Sequence, residues 1–482
     1  MASNTKSPQP TGTGLYVAGQ WQETSVSLPV TDKFTGASLG VVAVADQAAV
    51  DRAVAAAREA SRRPLSPRER ARVLDQVAAQ LESEADPFAR LIAQEGGKPW
   101  KDARAEVDRA VETLRVSARA ALAIHGETVP LDAAPGGEQR VGLYIRVPVG
   151  VVAAITPFNF PLNLVCHKVG PALAAGNAVV LKPASATPLS AIRLVELFAE
   201  AQLAPGYLNL VVGSGSQVGD ALVRHPQVDF VTFTGSAPVG LAIKAASGLK
   251  RITLELGNNS GNIVHADADL DLAAELLARR AFAQAGQSCI SVQRIYVHTS
   301  VYDPFLTRLA AATRSLRVGN PLDPTTDVGP LIAESEAERV EQWIAEAVAG
   351  GAQVAVGGTR SGAVVMPTVL TKTTPTMRVV ADEVFGPVAA VMPYDTFEDA
   401  VAMVNQSEYG LQAGVFTRDV ARAWYAVQHL HVGGVIINDT SSYRADLMPY
   451  GGVGKSGQGR EGPHFAVEEM TELRMAVFNL IP

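Results

Sequence analysis

The sequence predicts an α/β protein made of two units, each with a mostly parallel sheet. Three observations carry this expectation. From Gly142 onward, apolar runs and helical patterns take turns, and a βαβα rhythm implies parallel strands with helices on both faces. The chain has 482 residues, about three times a typical domain. With 47% hydrophobic and 18% charged residues, it has the composition of a well-packed globular protein.

The elements follow in order. Met1–Gly14 is polar and reads as a tail. Ser66-Pro67-Arg68-Glu69 is a capping box with Pro at the first helical position, opening an apolar-periodic helix through Leu74, Val77 and Leu81. Asp86-Pro87 opens a second helix that Gly96-Gly97 closes, and a third runs from about Lys101 to Ile124. Strands are expected at Val151–Ile155, Ala178–Leu181, Leu208–Val212, Val228–Phe233 and Ile252–Leu256. Between them lie a helix over Leu162–Ala175 closed by Gly176 and helices after Pro188, from Gln217 and after Pro238. A second series starts near Asn262, with strands at Ile295–His298 and Val388–Met392 and helices at Leu270–Ala285 and Glu334–Ala349. The boundary between the two units falls near Gly257.

Several function classes are disfavoured. A net charge of −7 without a basic stripe argues against a nucleic-acid surface. Only Cys166 and Cys289 are present, so no disulfide framework or metal site is expected. The tail lacks an apolar signal region, and runs such as Val147–Ile155 are too short to span a bilayer. The expectation is a cytoplasmic protein with no membrane partner.

Five groups of residues could carry chemistry. Gly213-Ser-Gly215-Ser-Gln-Val-Gly219 follows a strand and opens a helix, a setting that favours a phosphate. Its spacing is one residue longer than the Rossmann fingerprint, so an ordinary glycine turn stays open. Gly235-Ser236-Ala-Pro-Val-Gly240 is a second strand–turn–helix and lacks the residues of a Walker A loop. Cys289 follows a helix in a glycine-containing loop, as a nucleophile would, although a lone cysteine is often a small buried hydrophobe. Cys166 lies inside an apolar helix and is assigned to packing. Glu255 ends a buried strand between two leucines, where burial would raise its pKa toward that of a general base; an exposed strand-end glutamate is the plainer alternative. Asn159, in a Pro-bounded loop after a central strand, could donate to an oxyanion or simply shape a turn.

Seven motifs then stand in a specific order: Thr156-Pro-Phe-Asn-Phe-Pro161, Lys182-Pro-Ala-Ser185, Phe233-Thr-Gly-Ser236, Glu255-Leu-Gly257, Gly286-Gln-Ser-Cys289, Glu383-Val-Phe-Gly-Pro387 and Pro449-Tyr-Gly-Gly452. Together they resemble the signature set of the aldehyde dehydrogenase superfamily. The stretches after Cys289 and around Arg444-Ala-Asp-Leu-Met-Pro-Tyr450 resemble its lactaldehyde and non-phosphorylating glyceraldehyde-3-phosphate branch.

The resemblance implies a Rossmann-like cofactor-binding domain over 1–126 and 150–257, and a catalytic domain over 258–438. It also implies a β oligomerisation flap over 127–149 and 464–482, with a return segment 439–463 along the active site. Cys289 matches the nucleophile, Glu255 the base, Asn159 the oxyanion donor and Lys168 a supporting lysine. The cofactor, NAD or NADP, is expected at Thr156, Pro157, Phe158, Lys182, Ser185, Gly215, Gly219, Phe233, Gly235, Ser236, Leu256, Glu383 and Phe385. Phe160, His167, Ser288, Ile290, Ser441, Arg444 and Tyr450 are expected to shape the substrate tunnel.

Three departures from the family pattern bear on function. Asn258-Asn259 follows the Glu255 motif where many members carry Gly-Lys. Ser288 stands where members acting on phosphorylated aldehydes tend to carry Arg. Ser185 stands where strongly NAD-specific members carry Glu. The expected activity is NAD(P)-dependent oxidation of a small, hydroxylated aldehyde such as lactaldehyde, by a homodimer or homotetramer. Succinate semialdehyde, a phosphorylated aldehyde or coenzyme A-dependent acylation are the alternatives. A cysteine hydrolase lacks an evident His partner, and a non-catalytic protein on this fold would be expected to lose the Cys–Glu–Asn set.

Overall fold

The computed structural model describes Gly12 and residues 14–480; most of the expected tail lies outside the described residues. The capping box at Ser66 forms as the spacing predicts. Its hydroxyl accepts from Glu69 N while the Glu69 carboxylate accepts from Ser66 N, opening the helix Pro67–Ser83. Gly97, with φ of 70°, closes Ala85–Gly96, a conformation that costs glycine little.

The first sheet has eight strands. Naming each by its first residue, the order is Gln20, Leu15, Leu208, Ala178, Val151, Phe230, Arg251, Gly457. The five central strands are parallel, and the outer ones run antiparallel. Val151–Ile155 is buried at every position, which is why it reads as a continuous apolar run. From Val151 the chain winds outward through Ala178 and Leu208, then returns to place Phe230 and Arg251 on the other side. The order therefore reverses between the Val151 and Phe230 strands, and ligands of open α/β sheets bind beyond the carboxyl ends of strands at such a point. Asn159, Lys182, Gly235 and Glu255 all lie at those ends.

A seven-stranded second sheet runs Gln353, Thr368, Val388, Arg294, Gly261, Gln412, Gly434, antiparallel only at its first pair. Each sheet has its own core. One gathers residues up to Leu256 together with Val467 and Met470; the other spans Ile263 to Leu430. A third, antiparallel sheet joins Glu127–Val129, Arg140–Pro148 and Thr471–Asn479. The helix Pro463–Glu469 precedes that last strand, and its Val467 belongs to the first core. Among the described residues no helix is long and apolar enough to cross a membrane.

Two local expectations change. The helix expected over Leu270–Ala285 ends at Phe282, because Gln284 and Ala285 take left-handed backbone angles (φ of 50° and 54°). The turn expected to start a helix at Gln217 instead winds as a wide turn over Gly215–Gly219 before the short helix Asp220–Arg224.

Candidate active site

A cavity of about 310 Å³ lies between the two sheets. Its wall combines Pro157, Phe158, Asn159 and Phe160, the Thr234–Ser236 turn, Glu255–Gly257, Gln287–Ile290, Glu383 and Phe385, and Arg444, Tyr450 and Glu461. Residues distant in the chain meet here because Gly457–Gln458 pairs with Leu254 and Glu255, carrying the return segment back across the strand end.

The Cys289 loop is held in an uncommon conformation. Gln284, Ala285 and Gly286 are consecutively left-handed, which costs free energy for non-glycine residues and recurs at functional sites. At Gly286 a Cβ would lie 2.1 Å from Gly386 O, so only glycine lets this loop meet the Glu383–Pro387 segment. Cys289 is half-buried, and its Sγ lies 3.0 Å from Tyr450 Oη. Burial pushes the thiol up to about 12, with Tyr450 acting against that rise. A thiol held in this way becomes nucleophilic only when a base takes its proton.

Glu255 is 3% exposed, so it is not an exposed strand-end glutamate. Among the described residues, neither of its carboxyl oxygens has a hydrogen-bond partner. Burial first, and the Glu461 charge second, hold its proton on well above the usual carboxylate range. Gly451 leaves room for it, since a Cβ there would stand 2.9 Å from Glu255 Oε1. Glu461 goes the other way. Although buried, it accepts from Lys168 Nζ at 2.9 Å and Arg444 Nη2 at 3.0 Å, and these cations hold it ionised well below the usual range. Two carboxyl groups in one site are thus driven apart, one neutral and one charged, as acid–base chemistry requires.

Asn159 is 4% exposed and donates from Nδ2 to Gln287 O at 3.0 Å, while its main-chain carbonyl accepts from Gln284 Nε2. These bonds fix the amide against the Cys289 loop and leave the second N–H of Nδ2 for a ligand oxygen. Glu106 accepts from Leu162 N and Asn163 N at 3.0 Å and is paired with Lys98, anchoring the helix that follows.

The other expected positions divide into two sets. Phe158, Phe385, Leu256, Gly235, Ser236 and Glu383 line the cavity, Phe158 and Phe385 in edge contact at 5.9 Å. Thr156, Phe233, Lys182, Ser185, Gly215 and Gly219 lie outside it at or beyond the same strand ends. These residues fit a dinucleotide. Lys182 is buried, among the described residues it is bonded to Pro183 O and to no carboxylate, and burial pulls it down to about 8. The ten-residue helix Ala237–Ala246 has no side-chain cap on its N-terminal amides, which suits a pyrophosphate. Glu383 accepts only from Asn258 N, and burial raises it to about 7.

Among the expected tunnel residues, Phe160, Ser288, Ile290, Arg444 and Tyr450 line the cavity. His167 does not. Its Nε2 is drawn to Asp446 Oδ1 at 2.7 Å, and Arg444 Nη2 lies 3.3 Å from the same nitrogen. Ser441 is also buried away from the cavity, bonded to Asn262 and to Ile290 O. Lys168 is fully buried, not a solvated lysine on a helix face. Sequence reasoning missed Glu461 and Asp446. Asp446 accepts from both Arg109 Nε and Arg109 Nη2. Their one signal was a carboxylate within a Gly- and Arg-rich return segment.

The aldehyde dehydrogenase family pattern matches residues 21–476. A 3-sulfolactaldehyde dehydrogenase of Priestia aryabhattai is 51% identical over 467 residues, 97% of this chain and 98% of that protein. A lactaldehyde dehydrogenase of Methanococcus vannielii is 41% identical over 419 residues, covering 86% of this chain and 89% of that one. The crystal structure of aldehyde dehydrogenase 21 from Physcomitrella patens, in complex with the reaction product succinate, superposes with a TM-score of 0.95 at 39% identity, covering 98% and 99% of the two chains. NADP-dependent glyceraldehyde-3-phosphate dehydrogenase from Bacillus halodurans, complexed with NADP, gives 0.95 at 37% identity over 98% and 100%. With its motifs in order around one cavity and matches along nearly its whole length, the chain belongs to the aldehyde dehydrogenase family.

Proposed function

We propose that this protein oxidises a small 2-hydroxyaldehyde carrying a single anionic group, such as 3-sulfolactaldehyde, to its carboxylic acid with NAD or NADP. The observation that carries the reading is the gathering of Cys289, Asn159 and Glu255 around one cavity together with Glu383 and Phe385. The charge balance refines the substrate. Arg109, Arg444 and Lys168 supply three cations against two carboxylates, Asp446 and Glu461, while Glu255 is held neutral. Arg444 also keeps a buried Nε–H without a partner. Arg109 and Arg444 both line the cavity, and a guanidinium there matches an anionic group on the substrate. Ser288 in place of a third arginine disfavours a phosphate dianion.

Glu255, once ionised, takes the Cys289 proton. Sγ then bonds to the aldehyde carbon as the carbonyl π pair moves onto oxygen, where Asn159 Nδ2 and the Cys289 backbone N–H donate to it. When bound, the nicotinamide supplies the hydride acceptor that leaves a thioester on Cys289. Lys182 and the N-terminal amides of the Ala237–Ala246 helix would hold the dinucleotide, with Glu383 and Phe385 at its ring end. Once Glu255 has released that proton to solvent, it takes a proton from water, whose oxygen attacks the thioester, and the Cys289 thiolate departs.

The reading extends to the whole chain. The first sheet unit holds the dinucleotide and the second presents the nucleophile. The antiparallel sheet exposes Val141, Ile145, Leu473, Met475 and Val477 toward a second copy, giving a dimer or tetramer. Both cysteines are free thiols, in keeping with a reducing cytoplasm. A panel of 3-sulfolactaldehyde, lactaldehyde, succinate semialdehyde and glyceraldehyde 3-phosphate, read as NAD(P)H formation, tests the substrate. The sulfonate should exceed neutral lactaldehyde in kcat/KM by about tenfold or more, the effect of one charge-assisted bond. Equal rates, or preference for the phosphate, would remove the monoanion from the account.

A further inference from the structure

We propose that the Tyr450 hydroxyl is a further catalytic group, a standing hydrogen-bond donor to Cys289 Sγ that stabilises the thiolate. The inference rests on the reading of Cys289 as the nucleophile.

Tyr450 Oη lies 3.0 Å from Sγ, and among the described residues this is the one hydrogen bond that either atom makes. The tyrosine is 2% exposed and rigidly placed. Its backbone N donates to Glu461 O at 3.1 Å and its carbonyl accepts from Glu461 N at 2.6 Å. The Arg444 guanidinium stacks on its ring at 3.6 Å. Packing alone would be served by a phenylalanine; a buried phenol needs a polar partner. Here that partner is the reacting sulfur.

Direction follows from the chemistry of the two groups. A thiolate can only accept, so the phenol must donate once Cys289 has lost its proton. Burial holds the phenol proton on well above the ordinary tyrosine value, so Tyr450 remains a donor throughout. The charged groups facing Cys289 are Glu383 and Glu255, which oppose its ionisation, and Arg444, which favours it. The Tyr450 bond adds to Arg444. It is strong while sulfur carries charge and weakens once sulfur is bonded to the acyl carbon. It therefore favours both the attacking thiolate and the thiolate that departs on deacylation, and Tyr450 keeps its own proton at every step.

The test is the pH dependence of Cys289 alkylation by iodoacetamide in the full-length enzyme, mapped by mass spectrometry, with fully buried Cys166 as the silent thiol. In Tyr450→Phe, which keeps the ring, the alkylation midpoint should move to higher pH and the neutral-pH rate should fall about tenfold or more. Dinucleotide binding should stay unchanged. A superimposable profile overturns the proposal, as does a shift to lower pH, which would mean that the thiol donates to the phenol. Fluorotyrosine at position 450 keeps the fold and strengthens the donor, so alkylation should quicken; an unchanged or slower rate also overturns it. If alkylated wild type still turns over aldehyde, the reading of Cys289 itself fails. If alkylation abolishes turnover but Tyr450→Phe leaves the profile in place, only the role of Tyr450 fails.

Discussion

Replacing Glu461 with Gln separates acid–base tuning from simple packing. After burial itself, the Glu461 charge is the largest influence holding the Glu255 proton on. The amide keeps the shape but removes that charge, and it leaves Lys168 and Arg444 without their shared carboxylate. A neighbouring charge in the same site typically moves a carboxyl group by about 1–3 pKa units, so about two units is the expected size. The sign is definite. Because Glu255 is raised, its basic form accumulates only above the ordinary carboxylate range, so wild-type deacylation should climb as pH increases there. In Glu461→Gln that climb should move to lower pH by about two units. An activated ester such as p-nitrophenyl acetate acylates a thiolate without cofactor, and the steady rate after the burst reports deacylation. Cys289 then carries the acyl group and cannot titrate, which isolates Glu255. Breaking a buried ion pair costs about 3–5 kcal/mol, so Tm should also fall. A pH profile that stays in place, or moves to higher pH, would refute the reasoning even if Tm drops.

Two further variants probe other parts of the site. Asn159→Ala removes the oxyanion donor and should lower kcat by about 10²–10³; unchanged kcat, measured as NAD(P)H formation, would take Asn159 out of the reaction. Ser185 donates to Gly213 O at 2.7 Å, which places it at the glycine turn next to Lys182. A glutamate there would repel the 2′-phosphate of NADP. The NADP-to-NAD ratio of kcat/KM should therefore fall by about tenfold or more in Ser185→Glu, and an unmoved ratio would mean that another group reads the ribose.

The parallel strands were legible because full burial leaves long apolar runs, as in Val151–Ile155 and residues 178–181. Helix ends were legible wherever a residue has one clear job, such as Ser66 at an N-cap or Gly97 at a C-terminus. The antiparallel strands Leu15–Val17 and Gln20–Gln22 were not, since three residues show no periodicity. The left-handed turn at Gln284 and Ala285 was hidden for a different reason. Neither residue favours that conformation, which is imposed by the approach of Gly286 to Gly386. Cys289, Glu255 and Asn159 could be read from their local settings and motifs. Glu461 could not, because its role comes from pairing between distant strands that sets it near Lys168 and Arg444. For the same reason His167 was expected in the tunnel, although Asp446 draws it beneath Arg444.

The central claim is a thioester on Cys289 that Glu255 hydrolyses. Rapid acid quench of Glu255→Gln mixed with aldehyde and NAD(P), followed by peptide mass spectrometry, tests it most directly. Glu255→Gln lacks the base for both steps, so NAD(P)H should form slowly, and the acyl group that does form should remain on the peptide bearing Cys289 and on no other. The peptide bearing Cys166 should be unmodified. Cofactor reduction at the wild-type rate with no acyl mass on Cys289 would contradict the account.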